Sequence, residues 1–168
     1  MEILRTELAD VVVFKPKFIR DSRGYFVETF RQNAFEQAIG PVRFVQENQS
    51  LSQHAGTIRG LHFQTPPMEQ GKLVRCLSGS ILDVAVDIRR GSPSYGRHVA
   101  VTLSAENGQQ LWVPAGFAHG FCTLEPQSVV AYKVTSYYSA EHDRGLLWND
   151  PELGIAWPVD IESAVVSE

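Results

Sequence analysis

At 168 residues and a formal net charge of −4, the chain is long enough for one domain with a sizeable core. It has no block of Lys or Arg to track a nucleic-acid backbone. A hydrophobic content of 43% beside 20% charged residues is that of a globular chain, and no apolar run reaches membrane-spanning length. Nucleic acid and membrane are therefore not expected as partners.

The start, Met1-Glu2-Ile3-Leu4-Arg5, is charged and lacks an apolar signal segment, which predicts a cytoplasmic protein. Val11-Val12-Val13-Phe14 reads as a first strand ended by Lys15-Pro16. Asp21-Ser22-Arg23-Gly24 is a turn signal, with strand expected over 25–30. Gln32 to Ile39 is the one minor helix: Phe35 and Ile39 share a face, and Gly40-Pro41 supplies the stop. Residues 42–49 read as strand, with Gln46, Glu47 and Asn48 at its polar end. A loop follows over 51–57, in which His54 faces solvent.

In Arg59-Gly60-Leu61-His62-Phe63-Gln64 the apolar residues Leu61 and Phe63 alternate with His62 and Gln64, the period of a strand. Simple parity puts Arg59 on the face opposite His62, unless Gly60 breaks the pleat. Residues 72–77, the turn Ser78-Gly79-Ser80 and residues 81–88 predict a hairpin. Its second arm has an unbroken apolar face, Leu82, Val84, Val86 and Ile88. The mixed face carries Ile81, Asp83, Ala85 and Asp87. Strands follow over 99–103, 111–113, 121–124 and 129–138, with Pro114 to Gly120 as a tight loop. Trp148 and Trp157 are expected anchors in the final turns. Cys76 and Cys122 lie in apolar stretches without a ligand partner at zinc spacing, so buried reduced thiols are expected. Short strands at regular spacing with a single helix predict one all-β domain over 1–168, an antiparallel jelly-roll barrel with a site in its mouth.

Pro114-Ala115-Gly116-Phe117-Ala118-His119 resembles the second metal motif of the cupin barrels, a turn that aims a histidine into the mouth. Where the first motif of metal-binding cupins has His-x-His, this chain has His62-Phe63-Gln64. Two imidazoles and a glutamine fall short of the usual donor set, so no metal is expected. A neutral His62, a Lys72 near a developing oxyanion and a Tyr132 proton donor fit proton transfer beside a carbonyl. Tyr138 has the same parity as Tyr132 within the expected strand.

Three further stretches join these: Gly71-Lys72-Leu73-Val74-Arg75-Cys76, Asp83 to Arg89 and Leu103-Ser104-Ala105-Glu106-Asn107. With Arg59 to Gln64, Pro114 to Phe121 and Leu147-Trp148-Asn149-Asp150, they resemble the dTDP-4-dehydrorhamnose 3,5-epimerase family in family order. The resemblance implies a cupin-like jelly roll, a homodimer and no cofactor. It implies inversion of dTDP-4-dehydro-6-deoxyglucose at C3 and C5. By motif His62 is similar to the family's base, Tyr132 to its acid and Lys72 to the lysine near the ketone oxygen. Arg23, Phe26, Glu28, Gln46, Glu47, Asn48, Arg59, His119 and Asp143 fall at substrate-binding positions. Tyr138 matches the aromatic that stacks on thymine. Arg23 and its neighbours are expected to reach into the partner subunit's site.

The family's base histidine is paired with an aspartate beyond a Ser-x-Lys-Asp-like segment, whereas this sequence ends at Ser167-Glu168. That leaves a sequence cut short or a histidine oriented by another group. Asp83 is a candidate, for His119 as much as for His62. The alternatives are an epimerase acting at C3 or C5 alone, and a non-catalytic sugar-nucleotide binder.

Overall fold

A computed structural model describes residues 1–167. In chain order the elements are β1 (Glu2–Arg5), β2 (Val12–Lys15), β3 (Phe18–Asp21), β4 (Gly24–Val27), α1 (Gln32–Ile39), β5 (Gln46–Ser52) and β6 (Ile58–Gln64). Then come β7 (Lys72–Ser78), β8 (Ser80–Asp87), β9 (His98–Ser104), β10 (Gln110–Val113), β11 (Phe117–Thr123), β12 (Ser128–Val134) and β13 (Asp143–Gly145). Six strands form one sheet in the order β1-β2-β10-β7-β12-β5. Five form a second, β13-β6-β11-β8-β9, and β3-β4 is a separate ribbon. The ladders between named strands are antiparallel. The architecture is the expected jelly roll with one minor helix. It is two facing sheets rather than a closed barrel, because among the described residues no ladder joins the edges of one sheet to those of the other.

Each sheet buries apolar side chains on both of its faces. Val13, Val74, Leu111 and Val113 of the larger sheet meet Ile81, Ala85, Leu103 and Phe117 of the smaller one between the layers. Val12, Phe14, Leu73 and Trp112 point outward and are covered by Phe35 of α1. This is why Val11 to Phe14 is an unbroken apolar run rather than an alternating one. The Phe35 ring stacks on Phe14 at 5.2 Å and meets Trp112 edge-on at the same centroid distance. The helix ends where Gly40, at φ 103°, returns its N–H to the Glu36 carbonyl.

The outer face of the smaller sheet is the apolar face of β8. Val84 and Val86 pack there with Leu61 and Ala118 under Leu146, Leu153, Ile155 and Trp157. Trp157 donates its indole N–H to the Trp148 carbonyl at 2.7 Å, so both tryptophans anchor the covering segment. The mixed face of β8 therefore looks inward. Asp87 on it is buried yet satisfied by Arg89, Ser92 and Ser94. These donors, led by Arg89, outweigh burial and hold its carboxyl far below the usual range.

Several expected boundaries move. Strand does not extend over 28–30 or 42–45, because Phe30, Val42 and Phe44 instead pack beneath α1. The strand expected over 129–138 ends at Val134, which removes Tyr138 from the strand that carries Tyr132. His119 lies within β11 rather than in a loop. The short strands β1, β3 and β13 were not anticipated.

Candidate active site

Between the two sheets, at one end, lies a cleft of about 460 Å³. The larger sheet contributes Gln46, Asn48 and Ser50 from β5, Lys72 from β7 and Tyr132 from β12. The smaller contributes Arg59, His62 and Phe63 from β6, His119 and Phe121 from β11, and Asp143 from β13. Tyr138 joins them from the segment after β12. His62 and Tyr132 thus belong to opposite walls.

A bulge builds the His62 wall. His62 pairs with His119 across the β6–β11 ladder, and the next pair is Arg59 with Phe121. From 62 to 59 β6 takes three steps, while from 119 to 121 β11 takes two. The extra residue reverses the parity, so Arg59 and His62 line one cleft despite their odd spacing. Gly60 makes this possible. Its φ is +112°, and a Cβ there would lie 2.6 Å from Gly120 Cα and the His119 carbonyl oxygen.

Lys72 is buried, with its Nζ donating to the His62 carbonyl at 3.4 Å. Burial pushes its pKa down to about 8, against the pull of Asp143 and Asp83. His62 is also shifted down, first by burial and then by Lys72 and His119, with Asp143 opposing. Burial raises the Tyr132 phenol, while Asn48 and Arg59 act in the other direction. The site therefore favours a neutral imidazole facing a protonated phenol.

Asp83 is fully buried and pairs with His119, Oδ1 to Nε2 at 2.7 Å. Of the two histidines that sequence left open as its partner, it is bonded to His119. Its other oxygen has no hydrogen-bond partner among the described residues. The expectation attached to the sequence end reaches Glu168, outside the described residues. Arg59 donates to Ser52 Oγ at 3.0 Å and to the Leu51 carbonyl at 3.1 Å. Among the described residues it forms no ion pair, which leaves its charge for an anion in the cleft. Gln64 does not offer its amide to the cleft, because main-chain groups occupy it. Among the described residues no three His, Cys, Asp or Glu side chains converge as a metal-binding set.

Four expected site residues lie elsewhere in this chain. Glu47 points away from the cleft, as alternation along β5 requires once Gln46, Asn48 and Ser50 face inward. It pairs with Lys133 at 3.1 Å and Arg75 at 3.9 Å. Arg23 is bound to Asp21, and Glu28 to Arg31 at 2.7 Å. Phe26 is 69% exposed on the β3–β4 ribbon, outside the cleft. Conversely, Ser50 and Phe121 line the cleft unanticipated. Each lies two residues beyond an expected site residue, so strand alternation was the available signal.

A family model described as dTDP-4-dehydrorhamnose 3,5-epimerase matches residues 5–168. A dTDP-4-dehydrorhamnose 3,5-epimerase from Sinorhizobium fredii is 58% identical over 151 residues, covering 90% of this chain and 77% of that protein. The crystal structure of the Bacillus anthracis enzyme of that name, with TDP and PPi bound, superposes with a TM-score of 0.95 at 48% identity. That match covers 99% of this chain and 94% of the other. A Legionella pneumophila dTDP-6-deoxy-D-glucose-3,5-epimerase in complex with dTDP-4-keto-L-rhamnose gives 0.93 at 45% identity. It covers 99% of this chain and 87% of the other.

Proposed function

The chain belongs to the dTDP-4-dehydrorhamnose 3,5-epimerase family, and from that premise we propose how its cleft performs the reaction. The substrate is dTDP-4-dehydro-6-deoxy-D-glucose, inverted at C3 and C5 to dTDP-4-dehydro-L-rhamnose. The observation that carries the mechanism is His62 and Tyr132 on opposite walls of one cleft that also holds the buried Lys72.

The C4 ketone acidifies the hydrogens at C3 and C5. Neutral His62 accepts a proton from one face of the ring. The electron pair moves onto the C4 oxygen, and the Lys72 ammonium stabilises the resulting enolate. Tyr132 returns a proton from the opposite face, which inverts the carbon. The lowered His62 and raised Tyr132 pKa values suit a base and an acid at neutral pH. No electrons leave the substrate, so the sequence of steps uses no cofactor.

Binding is assigned to groups around this centre. Arg59, free of carboxylate partners among the described residues, clamps the diphosphate. Gln46, Asn48, His119 and Asp143 contact the sugar nucleotide, and the exposed ring of Tyr138 stacks on thymine. Asp83 orients His119. Arg23, Phe26 and Glu28 act on the cleft of the other subunit in a homodimer. In support, the β3–β4 ribbon exposes Ile19, Tyr25 and Phe26, an apolar set suited to cover by a second chain. A single catalytic domain in the cytoplasm completes the reading. Two free buried cysteines are in keeping with that location, and no helix among the described residues is long and apolar enough to cross a membrane.

The test is turnover of the 4-keto sugar nucleotide in D2O, with deuterium located by NMR. Incorporation at both C3 and C5 is the expected result. Label at one carbon alone would identify a monofunctional epimerase, and no label would identify a binder.

A further inference from the structure

Gln64 occupies the position where a metal-binding relative of this fold would offer a second histidine. Here the side chain is buried and its amide is fully engaged. Nε2 donates to the Met68 carbonyl at 2.5 Å and to the Tyr137 carbonyl at 3.1 Å. Oε1 accepts the Ser139 N–H at 2.7 Å. The Tyr137 carbonyl and the Ser139 N–H are the main-chain groups on either side of Tyr138. One amide therefore grips that residue's backbone from both sides, as a neighbouring strand would.

Tyr138 needs such a grip. β12 ends at Val134, so among the described residues no strand ladder holds it. Tyr138 is 60% exposed, and among the described residues its phenol reaches only Asp143 Oδ2, at 3.5 Å. Its own N–H is donated to Gln46 Oε1 at 3.1 Å. The β6 backbone at Gln64 also pairs with Asp143, so one residue registers two members of the cleft. We propose that Gln64 is a positioning residue for ligand binding, which presents Tyr138 over the cleft by clamping the backbone on both sides of it. The proposal rests on the reading of Tyr138 as the platform for the nucleotide base. It goes beyond that reading in naming what holds the platform still.

The experiment compares wild type with Gln64→Glu, Gln64→Leu and Tyr138→Ala. Gln64→Glu keeps an acceptor for Ser139 and loses both donors; Gln64→Leu loses all three bonds. Two measurements are made on each: amide hydrogen exchange at Ser139 without ligand, and affinity for dTDP with kcat and KM for the sugar nucleotide. Melting temperature serves as the fold control. In Gln64→Leu, Ser139 exchange should accelerate and dTDP binding should weaken on the order of tenfold, as expected from the two of its three lost hydrogen bonds that flank Tyr138. KM should rise more than kcat falls. In a Tyr138→Ala background the Gln64→Glu change should add little further loss of affinity.

Ser139 exchange as slow in both Gln64 variants as in wild type would overturn the clamp. Equal losses from Gln64→Glu with and without Tyr138 would also overturn it, since the effect would not pass through that residue. Unaltered dTDP affinity in Tyr138→Ala would overturn the platform reading, and with it the binding role of the clamp. Weakened binding in Tyr138→Ala but not in Gln64→Leu would overturn the assignment of Gln64 alone.

Discussion

Arg59 and His62 line the same wall of the cleft although they stand three positions apart on one strand. An odd spacing on a regular strand puts two side chains on opposite faces. The bulge at Gly60 restores them to one face, and so the residues proposed as diphosphate clamp and base share a cleft. The first prediction concerns that glycine. Gly60→Ala meets a φ of +112° and backbone atoms 2.6 Å from the new carbon. Strain of this kind costs about 1–3 kcal/mol, read by denaturant unfolding. Turnover should fall further than the unfolded fraction explains, because relief of the overlap misaligns Arg59, His62 or both.

Arg59→Ala should weaken binding more than it slows chemistry. Its guanidinium spends two bonds on Ser52 and Leu51 and holds a charge that no carboxylate among the described residues neutralises. Loss of a charge-assisted clamp on a diphosphate appears chiefly in KM and in dTDP affinity. A drop in kcat with unchanged dTDP affinity would contradict the role.

The pH profile should place Lys72 on the alkaline limb. Its pKa is pushed down from 10.5 to about 8, while that of Tyr132 is raised above 10. If the ammonium stabilises the enolate, kcat declines as pH rises through about 8. The acid limb follows His62, whose pKa burial holds below the ordinary imidazole value. Lys72→Arg should carry the alkaline limb upward while lowering kcat. The linked stability term runs the other way. Between about 8 and 10.5 the unfolded chain binds more protons at Lys72 than the folded one, so its contribution to stability rises with pH in that window.

Phe35→Ala should cost about 3–5 kcal/mol in unfolding free energy, the usual range for a buried aromatic truncated to a methyl. Phe35 is 1% exposed and its ring contacts Phe14, Phe30, Phe44 and Trp112, with α1 offering no other buried anchor. A loss below 1 kcal/mol in denaturant titration would mean that the helix is dispensable to the sheet it covers.

Much of this architecture is legible in the sequence because β5 to β12 bury regular patterns. Where legibility fails, the cause is local. β1, β3 and β13 have three or four residues each, too few to establish a period. Val42 and Phe44 alternate like a strand but serve as the floor of the helix. At the site, His62, Lys72 and Tyr132 are readable by residue type and motif. Parity misplaces Arg59, because a bulge depends on Gly120 and His119, about sixty residues away in sequence. Strand alternation turns Glu47 away from Gln46 and Asn48, against the motif-based expectation that it binds substrate. The Gln64 amide is invisible to any local pattern, since its partners at Tyr137 and Ser139 come together with it only through the fold.

The division of labour proposed for His62 and Tyr132 is tested most directly by solvent exchange in two variants. His62→Ala and Tyr132→Phe are each incubated with the 4-keto sugar nucleotide in D2O, and deuterium at C3 and C5 is followed by NMR. Removal of the base should abolish both epimerisation and exchange. Removal of the acid should leave exchange with retention through His62 while inversion falls by about 10²–10⁴-fold, the range of general acid–base contributions. Exchange undiminished in His62→Ala would contradict the account, as would equal loss of exchange in both variants.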